Sequence, residues 1–473
     1  DEQKIAAPKI TPIVTNRDSQ SEFLSEIQTS QVQPIEPVFV DYKKDMSQFE
    51  AQPGIDVLYK KNETNDIFTL IYVFNTGTEN DPALNLAFNY LSYLGTDKMT
   101  AEEIASEMYD IACSFYMNAG ANQSSIQITG LSENMGKAME IVEGLIAGAK
   151  PDEAILENCK ADMLKSRADA KLNQSRCFGA LQRYLFYGGD FIRRTTLTDP
   201  ALQALTSEQL LAKIGGLMGK QHEVLYYGPQ KEAEVKSALA EHHKVAADLQ
   251  PLEKKFSTLL PTDANKVVLA QYDAKQLYYL QFSNRGEKFD VAADPEITLY
   301  NEYFGGGMNT IVFQEMREAR GLAYTAWATL ATPSNANGDY SYYAFIATQN
   351  DKMQKAVEAF DDIINNMPES EKAFGIAKEA LVSRLRTERT VKDGVLWSYL
   401  RARDLGLDAP RDKQIFEKVQ SMTLDDVKAA QQKWVKGRKY VYGILGDIQD
   451  LDLNYLKTLG PIQTVSQEEI FGY

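Results

Sequence analysis

Two side chains, Arg317 and Tyr324, stand seven residues apart in the run Phe304–Trp327, FGGGMNTIVFQEMREARGLAYTAW. A guanidinium offers a permanent charge and a fork of donors suited to carbonyl oxygens, and a phenol can donate to an oxygen on which negative charge develops. Neither group breaks a bond by itself; together they hold and polarise a substrate. The elements needed to position them can be read in the same run. A loop of Gly305, Gly306 and Gly307 leads to a helix over 309–320. Asn309 or Thr310 caps it, Met308, Ile311, Val312, Met316 and Ala319 form its buried face, and Arg320-Gly321 stops it. A strand over 322–331 then places Tyr324 just past the Gly321 turn. Arg317, on the polar side of the helix, and Tyr324 can therefore point into one space.

This run resembles the C-terminal-domain signature of the pitrilysin and insulysin family of zinc metallopeptidases. Gly305-Gly306-Gly307-Met308, Phe313-Gln314-Glu315, Arg317-Glu318 and Arg320-Gly321-Leu322-Ala323-Tyr324 follow the family's order without gaps. The resemblance implies that Arg317 and Tyr324 hold the substrate backbone near the scissile bond. A bland reading makes them a solvated helix cation and a strand filler; the contiguous match favours the functional one.

The resemblance also implies a zinc site in a first domain, where H-x-x-E-H on a helix supplies two ligands one turn apart and the base that activates water. The matching stretch here is Pro82–Thr96, with Asp81 as its cap, and the five motif positions fall on Leu86, Ala87, Phe88, Asn89 and Tyr90. Leucine has no lone pair, a neutral phenol is a poor ligand, and an asparagine amide takes no proton from water. The third ligand position falls at Ser166, flanked by Asp162 and Asp169. No metal is expected in this chain, and zinc is expected in a partner half. His242 and His243 close a helix, where cations suit the terminus, and His222 opens a strand with no partner nearby. The three cysteines, Cys113, Cys159 and Cys177, lack C-x-x-C spacing and read as core positions. There is no G-x-S-x-G elbow, P-loop lysine or dinucleotide fingerprint.

With 473 residues, 44% of them apolar, the chain is too long for one core and composed like a globular protein. Its 50 basic and 66 acidic residues give a net charge of −16, which argues against a nucleic-acid partner and an anionic membrane surface. The strongest apolar run, Ile67–Phe74, is strand-length and well short of the ~18 residues of a membrane span. The start at Asp1, without a charged-then-apolar leader, reads as a mature terminus or a cut.

Along the chain one series of patterns occurs twice. Strands near 55–60, 67–75, 113–119, 123–130 and 222–227 alternate with helices near 82–94, 100–112, 132–147, 152–172 and 231–242. The series restarts with strands at 266–271, 277–282, 322–331 and 339–347 and helices near 293–303, 309–320, 351–366 and 370–389. Leu205-Thr206-Ser207-Glu208 rhymes with Met422-Thr423-Leu424-Asp425, and the strand ending on Tyr227-Gly228 with the one ending on Leu445-Gly446. An α+β fold is predicted: two homologous domains, each an antiparallel sheet with helices packed on one face, forming half of a clam-shell chamber by the family resemblance. The expected divisions are a linker or wrapping arm at 1–45, a first domain with a degenerate zinc site at 46–245, a linker at 246–265 and a C-terminal domain with the Arg/Tyr motif at 266–473. Pro8, Pro12, Pro34 and Pro37 punctuate the arm, which has one short helix near Ser21–Gln28.

The resemblance implies a non-catalytic half of a zinc peptidase that degrades peptides in a closed chamber, inactive alone and partnered by a zinc-bearing half in a separate chain or an N-terminal portion. The alternative is a structural or peptide-binding member of the fold without proteolysis. A bacterial periplasm or cell envelope is the compartment that the resemblance favours.

Overall fold

The computed structural model describes residues 19–30 and 33–473; Pro8 and Pro12 of the arm lie outside them. The first sheet is built from β1 (Ser47–Gln52), β2 (Ile55–Lys61), β3 (Ile67–Phe74), β4 (Cys113–Ala119), β5 (Ser124–Leu131) and β6 (His222–Gly228). Its order is β1-β2-β6-β3-β5-β4. The second uses β7 (Lys266–Gln271), β8 (Gln276–Ser283), β9 (Thr325–Ala331), β10 (Ser341–Gln349), β11 (Val441–Gly446) and β12 (Ile462–Val465), in the order β12-β7-β11-β8-β10-β9. Strip the outermost β1 and β12, and the two sheets have the same order and directions. The duplication legible in the sequence is a duplication of topology.

Two features of the expected sheets are corrected. Both sheets are mixed: β6 runs parallel to β2, and β11 parallel to β7. Each of these strands returns after a long helical crossover, which delivers it parallel to its neighbour, whereas the hairpins β4–β5 and β9–β10 stay antiparallel. The sequence also left out the sixth strand of each sheet. β1 pairs with β2 through a tight turn at Pro53-Gly54, where Gly54 adopts φ +90°, and β12 joins β7 in parallel.

Helices lie on both faces of each sheet, not on one. The larger face of the first sheet packs on its own helices, including Leu84–Leu91, Met135–Gly148 and Ser207–Leu217. Its other face presents Leu58, Ile71, Val73 and Leu225, and these are covered by Val395, Leu396 and Leu400 from the helix Gly394–Asp404 of the second copy. The second sheet is treated the same way. Val268, Leu280, Val441 and Leu445 are covered by Cys177, Phe178, Leu181 and Leu185 of the helix Gln174–Tyr187, which belongs to the first copy. Each copy thus lends one helix to the other's open face, and the two cores become one packed unit. The last five residues of β3, Leu70 to Phe74, are all buried, the mark of a strand covered on both sides.

The segment between the copies is extended and held by both. Leu249 is buried, Lys254 Nζ lies 2.7 Å from Asp404 Oδ2, and the Leu260 N–H donates to Phe186 O at 2.7 Å. The arm contains the helix Glu22–Thr29, capped by Ser21, with no buried residue. Further on it runs along the second copy, where Arg386 and Arg389 donate to the carbonyls of Ile35 and Glu36 and Phe39 packs on Phe416. No helix among the described residues is long and apolar enough to cross a membrane. All three cysteines are free and buried, as expected of core positions.

Candidate functional site

The glycine loop does structural work at its first residue. The Ala328 N–H of β9 donates to Gly305 O at 2.9 Å, and a Cβ on Gly305 would stand 1.9 Å from Ala328 O. Next along the same edge, the amide of Asn301 bonds both the N–H and the C=O of Leu330, each at 3.0 Å. These contacts occupy the outward backbone groups of β9 at Ala328 and Leu330. Gly306 and Gly307 are exposed, and nothing lies within 4 Å of a Cβ built on Gly307.

The predicted helix over 309–320 is a single α-helical turn, Ile311–Phe313, that widens into a π-helix at Gln314–Ala319. The Arg320 N–H reaches back five residues to Glu315 O at 3.2 Å. Extra residues in the turn rotate everything beyond Met316, which accounts for one correction. Ile311, Val312 and Met316 face the core as expected, but Ala319 is carried out to solvent. Met308, also assigned to the buried face, precedes the helix and is 70% exposed. Thr310 is the N-cap residue, yet its hydroxyl donates to Gly307 O at 2.8 Å rather than serving the helix.

Arg317 projects from the π-turn with its guanidinium 5.2 Å from the Phe313 ring centroid and its Nε 4.0 Å from Glu318 Oε1. Both it and Tyr324 are open to solvent. The Tyr324 N–H donates to Ala347 O at 2.8 Å, which fixes the residue at the entry to β9, and its phenolic oxygen accepts from Gln349 Nε2 at 3.0 Å. Beside it lies a cleft of about 440 Å³ lined by Lys275, Gln276, Gln349, Asn350, Asp351 and Asp450. Arg317 does not line that cleft, and no hydrogen bond, ion pair or cation–π contact among the described residues joins it to Tyr324. The Gln349 contact was not visible in the sequence, because it spans two strands.

The zinc-helix positions have been absorbed into the core. In Leu84–Leu91, Leu86 and Tyr90 are fully buried and Asn89 faces solvent. The Tyr90 hydroxyl lies 2.8 Å from Ser207 Oγ and accepts from the Asp152 N–H at 2.9 Å, so the phenol ties three helices together. Ser166 is exposed and accepts from Arg176 Nη2 at 3.2 Å. These residues do not fit a zinc ion, and no group of three or more His, Cys, Asp or Glu among the described residues could hold a metal. Asp81 is not the cap but stands two residues before it: its carboxylate accepts from the N–H of Ala83, the N-cap residue. Two histidines differ from the sequence expectation. His222 has a partner, since its Nε2 lies 2.8 Å from His243 Nε2, and His243 is buried rather than a solvated helix end.

Residues 221–381 match the family model described as the peptidase M16 inactive domain. Over that span the chain is similar to an insulinase-like half-molecule. The matched span runs from the start of β6 across the linker to the helix Glu371–Thr387, and so includes the whole Gly305–Tyr324 segment. An uncharacterised zinc protease of Rickettsia bellii is 23% identical over 312 residues, covering 63% of this chain and 70% of that protein. Among solved structures, a peptidase M16 inactive domain from Pseudomonas fluorescens superposes with a TM-score of 0.66 at 18% identity, over 85% of this chain and 98% of that one. The periplasmic protease PqqL from Escherichia coli gives a TM-score of 0.64 at 14% identity, over 93% of this chain but 49% of its own. The chain therefore spans about half the length of PqqL, and it carries the family's inactive, non-catalytic type of domain.

Proposed function

We propose that this half-molecule supplies Arg317 and Tyr324 to a peptidase active site whose zinc is held by a partner half, in a separate chain or in the preceding part of a longer one. The observation that carries the reading is a contrast within one chain. The zinc-helix positions are buried as core, while Arg317 and Tyr324 remain exposed on a framework of unusual local geometry, a π-turn followed by a strand entry. A π-turn recurs at functional sites because it redirects a side chain that a regular helix would aim elsewhere.

The chemistry follows from the hydrogen bonds. Gln349 donates to the Tyr324 oxygen, so the phenolic proton is free to be given to a peptide carbonyl oxygen as it becomes an oxyanion. Arg317, supported on the Phe313 ring, holds an adjacent substrate carbonyl. Bringing the two groups onto one substrate is the task of closure against the partner half. The domain limits 46–245 and 266–473 are proposed as the two units of this half, and a bacterial periplasm, the compartment of PqqL, as its location.

The test is reconstitution. Mixed with or fused to a half carrying H-x-x-E-H, the chain restores metal-dependent turnover of unfolded peptides, and Tyr324→Phe lowers that turnover ~10²-fold or more with a smaller effect on KM. Peptidase activity from the unmixed chain, surviving repurification and abolished by a chelator, overturns the reading. A second reading, a peptide-binding member without proteolysis, draws on the lack of a hydrogen bond, ion pair or cation–π contact between Arg317 and Tyr324; it is supported if peptides bind but no zinc-bearing half restores turnover.

A further inference from the structure

The chain has three histidines, and they divide unequally. His242 sits toward the surface, its Nδ1 2.9 Å from Glu140 Oε1. His222 and His243 are 4% and 6% exposed and face each other, Nε2 to Nε2, at 2.8 Å. The line of contacts continues at both ends. His222 Nδ1 lies 2.8 Å from Lys220 O, and His243 Nδ1 lies 3.1 Å from Glu143 Oε2. Glu143 is 4% exposed and accepts twice more, from Tyr72 Oη at 2.7 Å and from the Lys244 N–H at 2.6 Å. Tyr72 comes from β3, Glu143 from the helix Met135–Gly148, His222 from β6 and His243 from the end of the helix Glu232–His242.

The protons of this line can be counted from the chemistry of its ends. A carbonyl only accepts, so His222 Nδ1 carries a hydrogen. Two ring nitrogens 2.8 Å apart need one hydrogen between them, and the contact from His243 Nδ1 to Glu143 needs a third. Two neutral imidazoles supply two. The Tyr72 hydroxyl and the Lys244 N–H both donate to the Glu143 carboxylate, so Glu143 is the acceptor on this line and the third hydrogen is placed on His243. Burial, and then the neighbouring His243, push His222 down to about 4, which makes His222 the neutral ring with a bare Nε2 toward its partner. The surrounding charges are committed elsewhere. Glu223, next on β6, pairs with Arg403; Lys244 Nζ donates to Glu241 O; and Lys220 enters through its carbonyl.

We infer that Glu143, His243 and His222 form a buried proton-holding relay that fastens the start of the interdomain segment to the first sheet, and that a second proton taken up at His222 in acid unfastens it. Lys244 is where the chain leaves the first copy's last helix for the segment that runs to β7, and its N–H is held by the same carboxylate that neutralises His243. A proton on His222 Nε2 sets two N–H groups head to head across the 2.8 Å contact. The contact then breaks, and His243 leaves Glu143 together with Lys244.

The full chain labelled with ¹⁵N-histidine tests this, because its ring nitrogens come from three residues only. At about pH 7.5 the expected spectrum has one neutral ring protonated at Nδ1, one ring with hydrogens on both nitrogens, and that second ring reverting to the neutral form in Glu143→Gln. Below about pH 5, amide exchange at residues 244–250 should rise on the order of tenfold before that of β3 and β5 changes. Two neutral buried rings in the wild-type spectrum at about pH 7.5 overturn the proton count. Exchange at 244–250 that stays unchanged until the whole domain unfolds overturns the coupling to the segment. Both decisive measurements use the wild-type chain, so a variant that fails to fold leaves the outcome intact.

Discussion

Gly305 and Ala328 meet backbone to backbone: the Ala328 N–H bonds Gly305 O at 2.9 Å, and there is no room for a Cβ on Gly305, which would lie 1.9 Å from Ala328 O. The loop that leads to Arg317 is thereby pinned to the strand that follows Tyr324. Gly305→Ala is expected to destabilise the fold by on the order of 2–3 kcal/mol, since the obstacle is backbone and cannot rotate away. Gly307→Ala, with open space around it, should stay within about 0.5 kcal/mol. Denaturant melts of the two variants separate a packing role from a merely flexible loop; equal effects would refute the assignment.

Arg317→Ala and Tyr324→Phe are expected to change stability by no more than about 0.5 kcal/mol, because both side chains are exposed and their contacts are few. A thermal midpoint lowered by many degrees in either variant would assign that residue to the structure rather than to substrate.

The triple substitution Leu86→His, Asn89→Glu and Tyr90→His is expected to bind no zinc stoichiometrically and to destabilise the first copy by several kcal/mol, on the order of 3–5 for loss of two buried apolar side chains and the Tyr90 bonds. Ser166 leaves the ion one ligand short, and Tyr90 now serves Ser207 and Asp152. Elemental analysis and a denaturant melt check both halves of this; one tightly held zinc per chain would contradict it.

Burial, followed by the neighbouring Glu358, raises the Asp361 carboxyl to about 6. A carboxyl whose folded-state value is raised stabilises the fold fully below its unfolded value near 4 and loses that contribution as pH rises through about 6. Asp361→Asn is therefore expected to be more stable than the parent above pH ~7, by up to about 2–3 kcal/mol, with the gain vanishing toward pH ~4. Melts across that range decide it, and a gain that grows in acid would have the wrong sign.

What the sequence determined by itself was local or repetitive. The Gly305–Tyr324 run, the strand and helix periodicities, the doubled series and the loss of Leu86, Asn89 and Tyr90 as ligands all rest on residue type and spacing, and spacing survives in one dimension. Most helices and strands stood within a few residues of their expected ends for that reason. The π-turn did not, because an extra residue per turn leaves the same letters in the same order and moves only where Ala319 points. Strand direction in β6 and β11, the exchange of the helices Gln174–Tyr187 and Gly394–Asp404 between the copies, and the His222–His243 contact were decided only by the tertiary structure. Each joins segments far apart in the chain, and burial is what gives them meaning. A histidine at a helix end is a solvated cation until another element closes over it, and then its protons have to be shared with whatever the fold brings alongside.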